Sequence, residues 1–198
     1  MKSKEHQHLF LLCSYLLSYP DLDFLETLPE IEEEAEKLPL SESKVELGRF
    51  LQLLQEKSET ELLYTYVYTF DFGKKTNLYV TYMANGEQRE RGQELLFLKN
   101  YYKTNGFLIS GNELPDYLPL MLEFAGLVDW KTAKPVFERY ANHIKEIETR
   151  LEEENNFYHH LLKAVTLAIK DRRIDISAKR SETKCSSNFC GPFSHILS

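Results

Sequence analysis

Apolar residues recur every three or four positions through most of the chain, which is the spacing of one face of an α-helix. Proline, glycine and asparagine residues separate these stretches and predict where the helices end. The pattern predicts an N-terminal helix over about 4–19, a second from Asp21 or Asp23 to Lys37, a third from Ser41 to about Lys57, one from Glu87 to about Lys103, a long one beginning near Pro135, and a last one over about 157–170.

Two stretches carry a different pattern. Residues 64–70 alternate tyrosine or phenylalanine with threonine and valine, which taken alone favours a β-strand. Residues 78–82, with tyrosine, valine and threonine, suggest the same interpretation. Against this, Ser58 and Glu61 have the spacing of a capping box, in which each side chain accepts an amide hydrogen bond at the start of a helix. The residues by themselves leave strand and helix both open for these stretches.

Two prolines stand close together in the apolar stretch 114–124. Pro115 suits the first turn of a helix, where its missing N–H group has no partner to lose. Pro119 would then fall inside the helix, so it should kink the helix or move its start downstream. Leu118 and Met121, with apolar residues after them, recur at helical spacing. This stretch is therefore either part of the core or one wall of a groove for an apolar helix of another protein.

The composition argues against several classes of protein. The 198 residues are enough for one sizeable domain, and 42% hydrophobic with 28% charged residues are ordinary values for a globular protein. The net charge of −7 argues against sequence-independent nucleic-acid binding, which needs a basic surface. The apolar run 9–17 is too short to span a bilayer, and no signal-peptide cleavage site follows it. We therefore expect a cytoplasmic protein that does not insert into a membrane.

No motif for catalysis or for a stable cofactor site is recognisable. The sequence has no phosphate-binding glycine loop, nucleophile elbow or zinc-protease motif. Glu5 and His8 form one Glu-x-x-His pair, but a di-iron bundle needs a second. Cys185 and Cys190 have no second pair of ligands nearby, so we expect no zinc site, and Cys13 reads as a small buried apolar residue. We therefore predict a peptide-binding helical protein that is not an enzyme.

Four blocks of sequence, in a fixed order, resemble one known family. They cover residues 66–72, 78–82, 86–92 and 114–124. Together they are similar to the NarJ family, the delta-subunit assembly chaperones of respiratory nitrate reductase, which are related to the TorD-like chaperones of redox enzymes. The resemblance implies an all-α, single-domain helical bundle of the TorD-like chaperone type over residues 1–170, with both alternating stretches helical. Residues 171–198 lack apolar periodicity, and we expect them to form a disordered C-terminal tail.

The resemblance also implies a function. Members of the family are cytoplasmic chaperones that bind the amino-terminal region of the catalytic alpha subunit of nitrate reductase. They keep that subunit competent while its molybdenum bis-pterin guanine dinucleotide cofactor is inserted, and they delay its docking on the membrane. The family resemblance implies no stably bound cofactor, and proteins of cofactor synthesis are further candidate partners.

Matching the blocks position by position gives a set of candidate peptide-binding residues. The set combines aromatic and apolar side chains with charges: Tyr68, Phe70, Asp71, Tyr79, Arg89, Arg91, Leu114, Asp116, Tyr117, Leu118, Met121 and Glu123. The apolar members are equally well explained as core. The acidic members either bind basic residues of a client or pair with Arg89 or Arg91, which stand at a helix start where the dipole disfavours cations. Where the family commonly has His and Asp, this chain has Asn85 and Glu87.

Two other functions remain open. One is an adaptor for the twin-arginine leader of another molybdoenzyme, which would prefer a paired-arginine leader to the nitrate reductase terminus. The other is an enzyme or a direct carrier of the cofactor, which would retain or convert a pterin, a nucleotide or a metal. The absence of a phosphate loop and of a metal-ligand pattern makes this last alternative the weakest.

Overall fold

The computed structural model describes residues 2–73, 75–82, 88–109 and 113–176, with the side chains of 4–73, 75–82, 90–109 and 113–176. Within these residues the chain is helical, and its only β-type pairing is one isolated bridge. The helices are α1 (Lys2–Leu16), α2 (Leu22–Glu36), α3 (Glu42–Gln55), α4 (Glu59–Tyr66), α5 (Gln88–Thr104), α6 (Leu118–Leu127), α7 (Trp130–Glu153) and α8 (Tyr158–Asp171). A π-helical turn (Val67–Asp71) continues α4. The all-α prediction is confirmed.

Several helix starts are fixed by side chains that accept amide hydrogen bonds of the first turn. Asp21 caps α2 and Ser41 caps α3, each through one backbone N–H group, as the sequence predicts. At α4 both halves of the predicted capping box are present. Ser58 N donates to Glu61 Oε2 at 2.8 Å, and Glu61 N donates to Ser58 Oγ at 3.4 Å. Local sequence therefore sets these boundaries.

The core lies where α8 packs against α1, α3 and α7, and where α6 packs along α1. The apolar stripes predicted for α7 and α8 are buried in it: Phe137, Tyr140, Ala141, Ile144, Ile147, Leu151, Leu161, Leu162, Val165, Ala168 and Ile169. The close approach of α6 to α1 requires Gly126, because a side chain there would collide with Leu11. Burial of these apolar faces is the main stabilising contribution to the bundle.

The helix predicted for both alternating stretches is observed in only one of them. Residues 64–71 are helical, as predicted, although the last part has the wider π-helical geometry. The helix predicted over 78–82 is wrong, since these residues form turns in which Tyr79 makes an antiparallel bridge with Tyr117. Hydrogen bonds to a distant segment replace the local bonds of a helix here. The helix was what the family resemblance implied, whereas the local pattern favours a strand, and the isolated bridge is the only strand-like pairing in the described part of the chain.

Pro119 explains why α6 begins later than Pro115 suggests. Tyr117 is the N-cap of α6 and Pro119 is its second residue, where the missing N–H group costs no intrahelical bond. The alternative in which Pro119 moves the helix start downstream is therefore the one observed.

The helical spacing of apolar residues on α3 predicts that Val45 lies on the inner face with Leu54 and with Phe50 or Leu51. That prediction is wrong for Val45, whose side chain is exposed, and the neighbouring Glu46 is buried instead.

The segment after α8 still contacts the core through Ile174, which is buried. Residues 177–198, with Cys185 and Cys190, lie outside the described residues, as do Asn85 and Glu87. The division of the chain at residue 170 and the disordered tail therefore stay predictions. Among the described helices, none combines the length and the apolar character needed to cross a bilayer.

A buried carboxylate joins α3 to α8. Glu46 accepts a hydrogen bond from Arg49 at 2.9 Å, and it lies 3.3 Å from Lys163 Nζ and 2.7 Å from His160 Nδ1. Burial alone would raise the pKa of Glu46, but the hydrogen bonds from His160 and Lys163 outweigh burial, and its pKa is lowered from the ordinary value. The carboxylate is therefore held ionised between two helices of the core.

We expect Glu46→Gln to lower the free energy of unfolding by about 1–3 kcal/mol at neutral pH, because three basic side chains lose their anion. Since the folded pKa of Glu46 is depressed, its contribution is present above the ordinary glutamate pKa and is lost as the pH falls through the folded value. The difference in the free energy of unfolding between wild type and variant, measured by urea denaturation, should therefore become smaller as the pH is lowered. Glu56→Gln, at the exposed end of α3, is the control and should change stability by less than about 0.5 kcal/mol. A difference in unfolding free energy that does not change with pH would contradict the stabilising role of the ionised Glu46 carboxylate.

Candidate peptide-binding surface

Two distant segments, 78–82 and 116–118, cross in antiparallel fashion and anchor the candidate surface. The N–H groups of Val80 and Leu118 donate across the crossing to backbone carbonyls at 3.0 and 2.9 Å. The side chains of Leu78 and Val80 are buried beneath it. The alternating pattern is therefore used for a single bridge, with its apolar residues facing the core.

Asp116 is the charged centre of this crossing. Its side chain is fully buried, and Oδ2 accepts hydrogen bonds from the Thr81 hydroxyl at 2.6 Å and from the Thr81 N–H group at 3.3 Å. Arg91, on α5, lies 3.4 Å from the same oxygen and stacks over the ring of Tyr82 at 5.4 Å. A buried carboxylate requires such partners, because an unpaired one is strongly destabilising. Asp116 and Arg91 therefore hold α5 against the bridge.

The π-helical turn offers backbone carbonyls to side chains outside the helix. Thr76 Oγ1 donates to the carbonyl of Thr69, and Asn77 Nδ2 donates to the carbonyl of Phe70 at 3.4 Å. Asn156, from the turn before α8, donates to the Thr69 hydroxyl at 2.6 Å. These bonds fix both the turn and the loop after it, so the aromatic side chains that they carry have defined positions.

Four tyrosines from separate parts of the chain form a connected surface beside the bridge, which we term the tyrosine platform: Tyr19, Tyr66, Tyr79 and Tyr117. Tyr66 OH donates to the carbonyl of Leu17 at 3.0 Å and lies 3.3 Å from Tyr117 OH. The ring centroids of Tyr19 and Tyr66 are 5.5 Å apart, and those of Tyr79 and Tyr117 are 5.3 Å apart. Tyr66 is buried, whereas the other three tyrosines are partly exposed.

Two carboxylates flank the tyrosine platform. Tyr79 OH donates to Glu113 Oε2 at 3.0 Å, and burial together with this bond raises the pKa of Tyr79 to about 12. Burial also raises the pKa of Tyr117, and the nearby charges of Glu113 and Asp71 contribute to the rise. Within the described part of the chain, neither carboxylate forms an ion pair. Among the described residues, the negative charge beside the rings of the platform therefore has no cation paired with it.

The chemical groups of the tyrosine platform suit the binding of a peptide. The described residues contain no group of three or more histidine, cysteine, aspartate or glutamate side chains that could hold a metal ion. Carboxylates pair with ammonium and guanidinium groups, and tyrosine rings pack against aromatic or aliphatic side chains. The tyrosine platform can therefore bind a peptide that carries both basic and apolar residues.

The candidate residues occupy three environments. Phe70, Asp116, Leu118 and Met121 are buried, Tyr79, Arg91 and Tyr117 are partly buried, and Tyr68, Asp71, Leu114 and Glu123 are exposed. The structure brings Tyr79 and Tyr117 together at the tyrosine platform, and the charge of Asp71 is close enough to contribute to the raised pKa of Tyr117. Tyr68 lines a different groove. The side chain of Arg89 lies outside the described residues. Asp116 has Arg91 as an internal partner, which was one of the two alternatives for the acidic residues.

Sequence reasoning missed Tyr19, Tyr66 and Glu113 as parts of the surface. Tyr66 stands in the alternating aromatic run, which was the only local signal for it. Tyr19 precedes Pro20 at the end of the first apolar stretch, and Glu113 precedes the proline-containing stretch. Nothing in their neighbourhoods indicates that these residues meet, because their contacts are set by the packing of distant segments.

Most of the chain is similar to proteins of one family. The family model described as "Nitrate reductase delta subunit" matches residues 22–164. The chain is 44% identical over 171 residues to the probable nitrate reductase molybdenum cofactor assembly chaperone NarJ of Bacillus subtilis (strain 168), which covers 86% of this chain and 93% of that protein. These matches confirm the resemblance seen in the four sequence blocks.

More distant relatives match a similar share of the chain. The identity is 29% over 150 residues with the nitrate reductase molybdenum cofactor assembly chaperone NarJ of Escherichia coli (strain K12), covering 74% of this chain and 63% of that protein. It is 32% over 152 residues with the nitrate reductase-like protein NarX of Mycobacterium tuberculosis (strain CDC 1551 / Oshkosh), covering 77% of this chain and 23% of that protein.

We expect Asp116→Asn to lower the free energy of unfolding by about 2–3 kcal/mol, because Arg91 loses its anion and the crossing loses charge-assisted hydrogen bonds. Urea denaturation followed by circular dichroism measures the change. Glu123→Gln, an exposed acid-to-amide change on α6, is the matched control and should stay within about 0.5 kcal/mol of wild type. Equal effects of the two substitutions would contradict the role of Asp116 as the centre of the crossing.

Proposed function

Because this chain belongs to the nitrate reductase delta subunit family, we propose that it is an assembly chaperone in the maturation of nitrate reductase. It binds the amino-terminal region of the catalytic alpha subunit and promotes insertion of the molybdenum bis-pterin guanine dinucleotide cofactor before that subunit docks on the membrane. It acts in the cytoplasm, is not an enzyme and binds no cofactor stably. The names of its relatives as molybdenum cofactor assembly chaperones support this role.

The observation that carries the peptide-binding part of the proposal is the combination of rings and carboxylates at the tyrosine platform. Tyr79 and Tyr117 have the apolar ring and polar tip that are common at protein interfaces. Asp71 and Glu113 place negative charge beside these rings. A segment that carries an apolar or aromatic residue next to basic residues satisfies both features at once, with the rings supplying affinity and the charges supplying orientation.

The tyrosine platform is largely formed before a peptide binds. The bridge fixes the backbone of Tyr79 and Tyr117, and the Tyr66 hydroxyl links α1 to the platform. A pre-organised surface loses less conformational entropy on binding than a mobile one. The flanking carboxylates attract a basic segment and repel an acidic one, so the association rate should fall as the salt concentration rises.

Binding of this kind accounts for the timing that the proposed role requires. While the amino terminus of the client is bound to the chaperone, it cannot bind its partner at the membrane. Binding also stabilises, by mass action, the form of the client that the chaperone recognises. In this scheme the cofactor binds to the client and not to the chaperone. Proteins of cofactor synthesis are further proposed partners, because insertion requires delivery while the chaperone is bound.

A second candidate function is binding of the twin-arginine leader of another molybdoenzyme. The observation in its favour is that Asp71 and Glu113 both lie near Tyr117, so that two adjacent guanidinium groups would each find a carboxylate. A preference for a paired-arginine leader over the nitrate reductase terminus would favour this alternative.

We expect a peptide from the amino terminus of the nitrate reductase catalytic subunit to bind the full chain saturably in calorimetric titration. Tyr117→Ala removes a central ring and should weaken binding by about tenfold, as for a well-placed interface tyrosine. Asp71→Asn combined with Glu113→Gln should weaken binding by about fivefold. At high salt the affinities of wild type and this variant should become nearly equal, because salt screens the charges.

The control is Glu30→Gln combined with Glu56→Gln, which makes the same charge change at two exposed glutamates, one on α2 and one directly after α3. This variant should bind the peptide like wild type. Tighter binding of a twin-arginine leader than of the nitrate reductase peptide would favour the adaptor instead. Absence of binding by folded wild-type protein, or equal losses in the control and the platform variants, would contradict the proposed site.

A further inference from the structure

A groove distinct from the tyrosine platform lies between the loop after the π-helical turn and the turn that joins α7 to α8. It has a volume of about 780 Å³, and we term it the basic groove. Its lining includes Lys57, Tyr68, Phe72, Lys75, Asn155 and Phe157. The platform and the groove therefore use different side chains of the same continuous helical segment, α4 with its π-helical turn.

The basic groove exposes more aromatic surface than solubility favours. Tyr68 is 66% exposed and Phe72 is 76% exposed, and Tyr64, which stacks on Tyr68 at 6.0 Å between centroids, is 71% exposed. A single exposed aromatic side chain is ordinary, but contiguous exposed rings mark interaction surfaces. Tyr68 therefore joins two parts of this aromatic surface, because it stacks on Tyr64 and lines the groove together with Phe72.

The walls of the basic groove are held in place. The loop that carries Phe72 is tied back by the hydrogen bond from Thr76 to the carbonyl of Thr69, and Asn156 binds the Thr69 hydroxyl from the opposite wall. A side chain at Gly73 would collide with the Thr69 carbonyl, so the loop packs directly on the π-helical turn. The exposed rings are therefore presented by a braced structure.

The charge of the basic groove identifies the chemistry of its partner. Lys57 lies over the ring of Phe157 at 5.2 Å, and Lys75 is exposed at the other side. Within the described part of the chain neither lysine forms an ion pair, although the charge of Lys57 helps to lower the pKa of Glu61, which lies outside the lining. Glu154 is the one acidic side chain in the described lining. The chain as a whole carries a net charge of −7, so a groove with a positive balance departs from its surroundings.

We infer that the basic groove is a second docking site, and that its partner is an acidic protein segment anchored by an aromatic residue. The anchor packs on Tyr68 and Phe72, and its acidic neighbours pair with Lys57 and Lys75. Rings supply most of the binding energy in such contacts, and the complementary charges select the partner. The opposite charges of the platform and the groove allow the chain to hold two different segments without competition.

A designed probe tests this inference without any knowledge of the natural partner. The probe is the fluorescein-labelled peptide Glu-Phe-Glu-Glu-Phe-Glu, titrated with the full chain and followed by fluorescence anisotropy. We expect saturable binding that Lys57→Glu combined with Lys75→Glu weakens by at least about tenfold, because attraction becomes repulsion. Phe72→Ser should weaken it separately, and both variants should retain the wild-type circular dichroism spectrum because the changed side chains are largely on the surface.

Matched controls separate this site from a general charge effect. Lys99→Glu combined with Lys103→Glu makes the same charge change on the exposed face of α5 and should leave probe binding unchanged. The platform variant with Asp71→Asn and Glu113→Gln should also leave it unchanged. Peptides in which lysine replaces glutamate, or serine replaces phenylalanine, should bind at least about tenfold more weakly than the probe.

Five results would overturn the inference. The first four are absence of probe binding by the wild type, equal loss in the control and groove lysine variants, equal binding of the lysine-substituted peptide, and displacement of the probe by ATP as readily as by unlabelled peptide. The fourth result would assign the rings and lysines to a nucleotide. Self-association that is abolished by the groove lysine variant would assign this face to a second copy of the chain and would likewise overturn the inference.

Discussion

The buried carboxylate of Asp116 is the constraint on which the arrangement around the tyrosine platform depends. A carboxylate without exposed area needs hydrogen-bond donors, because its desolvation is otherwise uncompensated, and in Asp116 the donors all reach Oδ2 while Oδ1 has no hydrogen-bond partner among the described residues. Thr81 and Arg91 supply those donors from two other segments, so the loop after the π-helical turn and the start of α5 converge on the start of α6. The bridge between Tyr79 and Tyr117 lies at this point of convergence.

The π-helical turn that follows α4 is the second feature that holds these surfaces in place. Its wider geometry frees carbonyls that Thr76 and Asn77 satisfy, and the loop is thereby packed onto the helix that precedes it. One short segment consequently displays Asp71 near the tyrosine platform and Phe72 in the basic groove. Aromatic surface of either kind binds many partners, so the sign of the neighbouring charge is what makes each surface selective.

Much of the fold could be predicted from local sequence. The caps at Asp21 and Ser41 and the capping box at Ser58 determine helix starts through contacts within one turn, and the stripe along α7 has a strong helical period. Prediction failed where a distant segment supplies the decisive contacts. Residues 78–82, for which the family resemblance implied a helix, instead form hydrogen bonds with the segment at the start of α6. Glu46 is buried because basic residues of α3 and α8 surround it.

The sequence by itself determined that the chain is helical, where most helices begin and end, and which stretches hold the aromatic and charged residues. Only the tertiary structure decided which of these residues meet. It places Tyr19 against Tyr66 and Asp71 near Tyr117, while it buries Phe70 and Met121 in the core. The physical reason is the sequence separation over which each kind of interaction acts. Helix periodicity and capping act over a few residues, whereas contacts between distant residues follow from the joint packing of apolar faces and the pairing of buried charges, which no local pattern encodes.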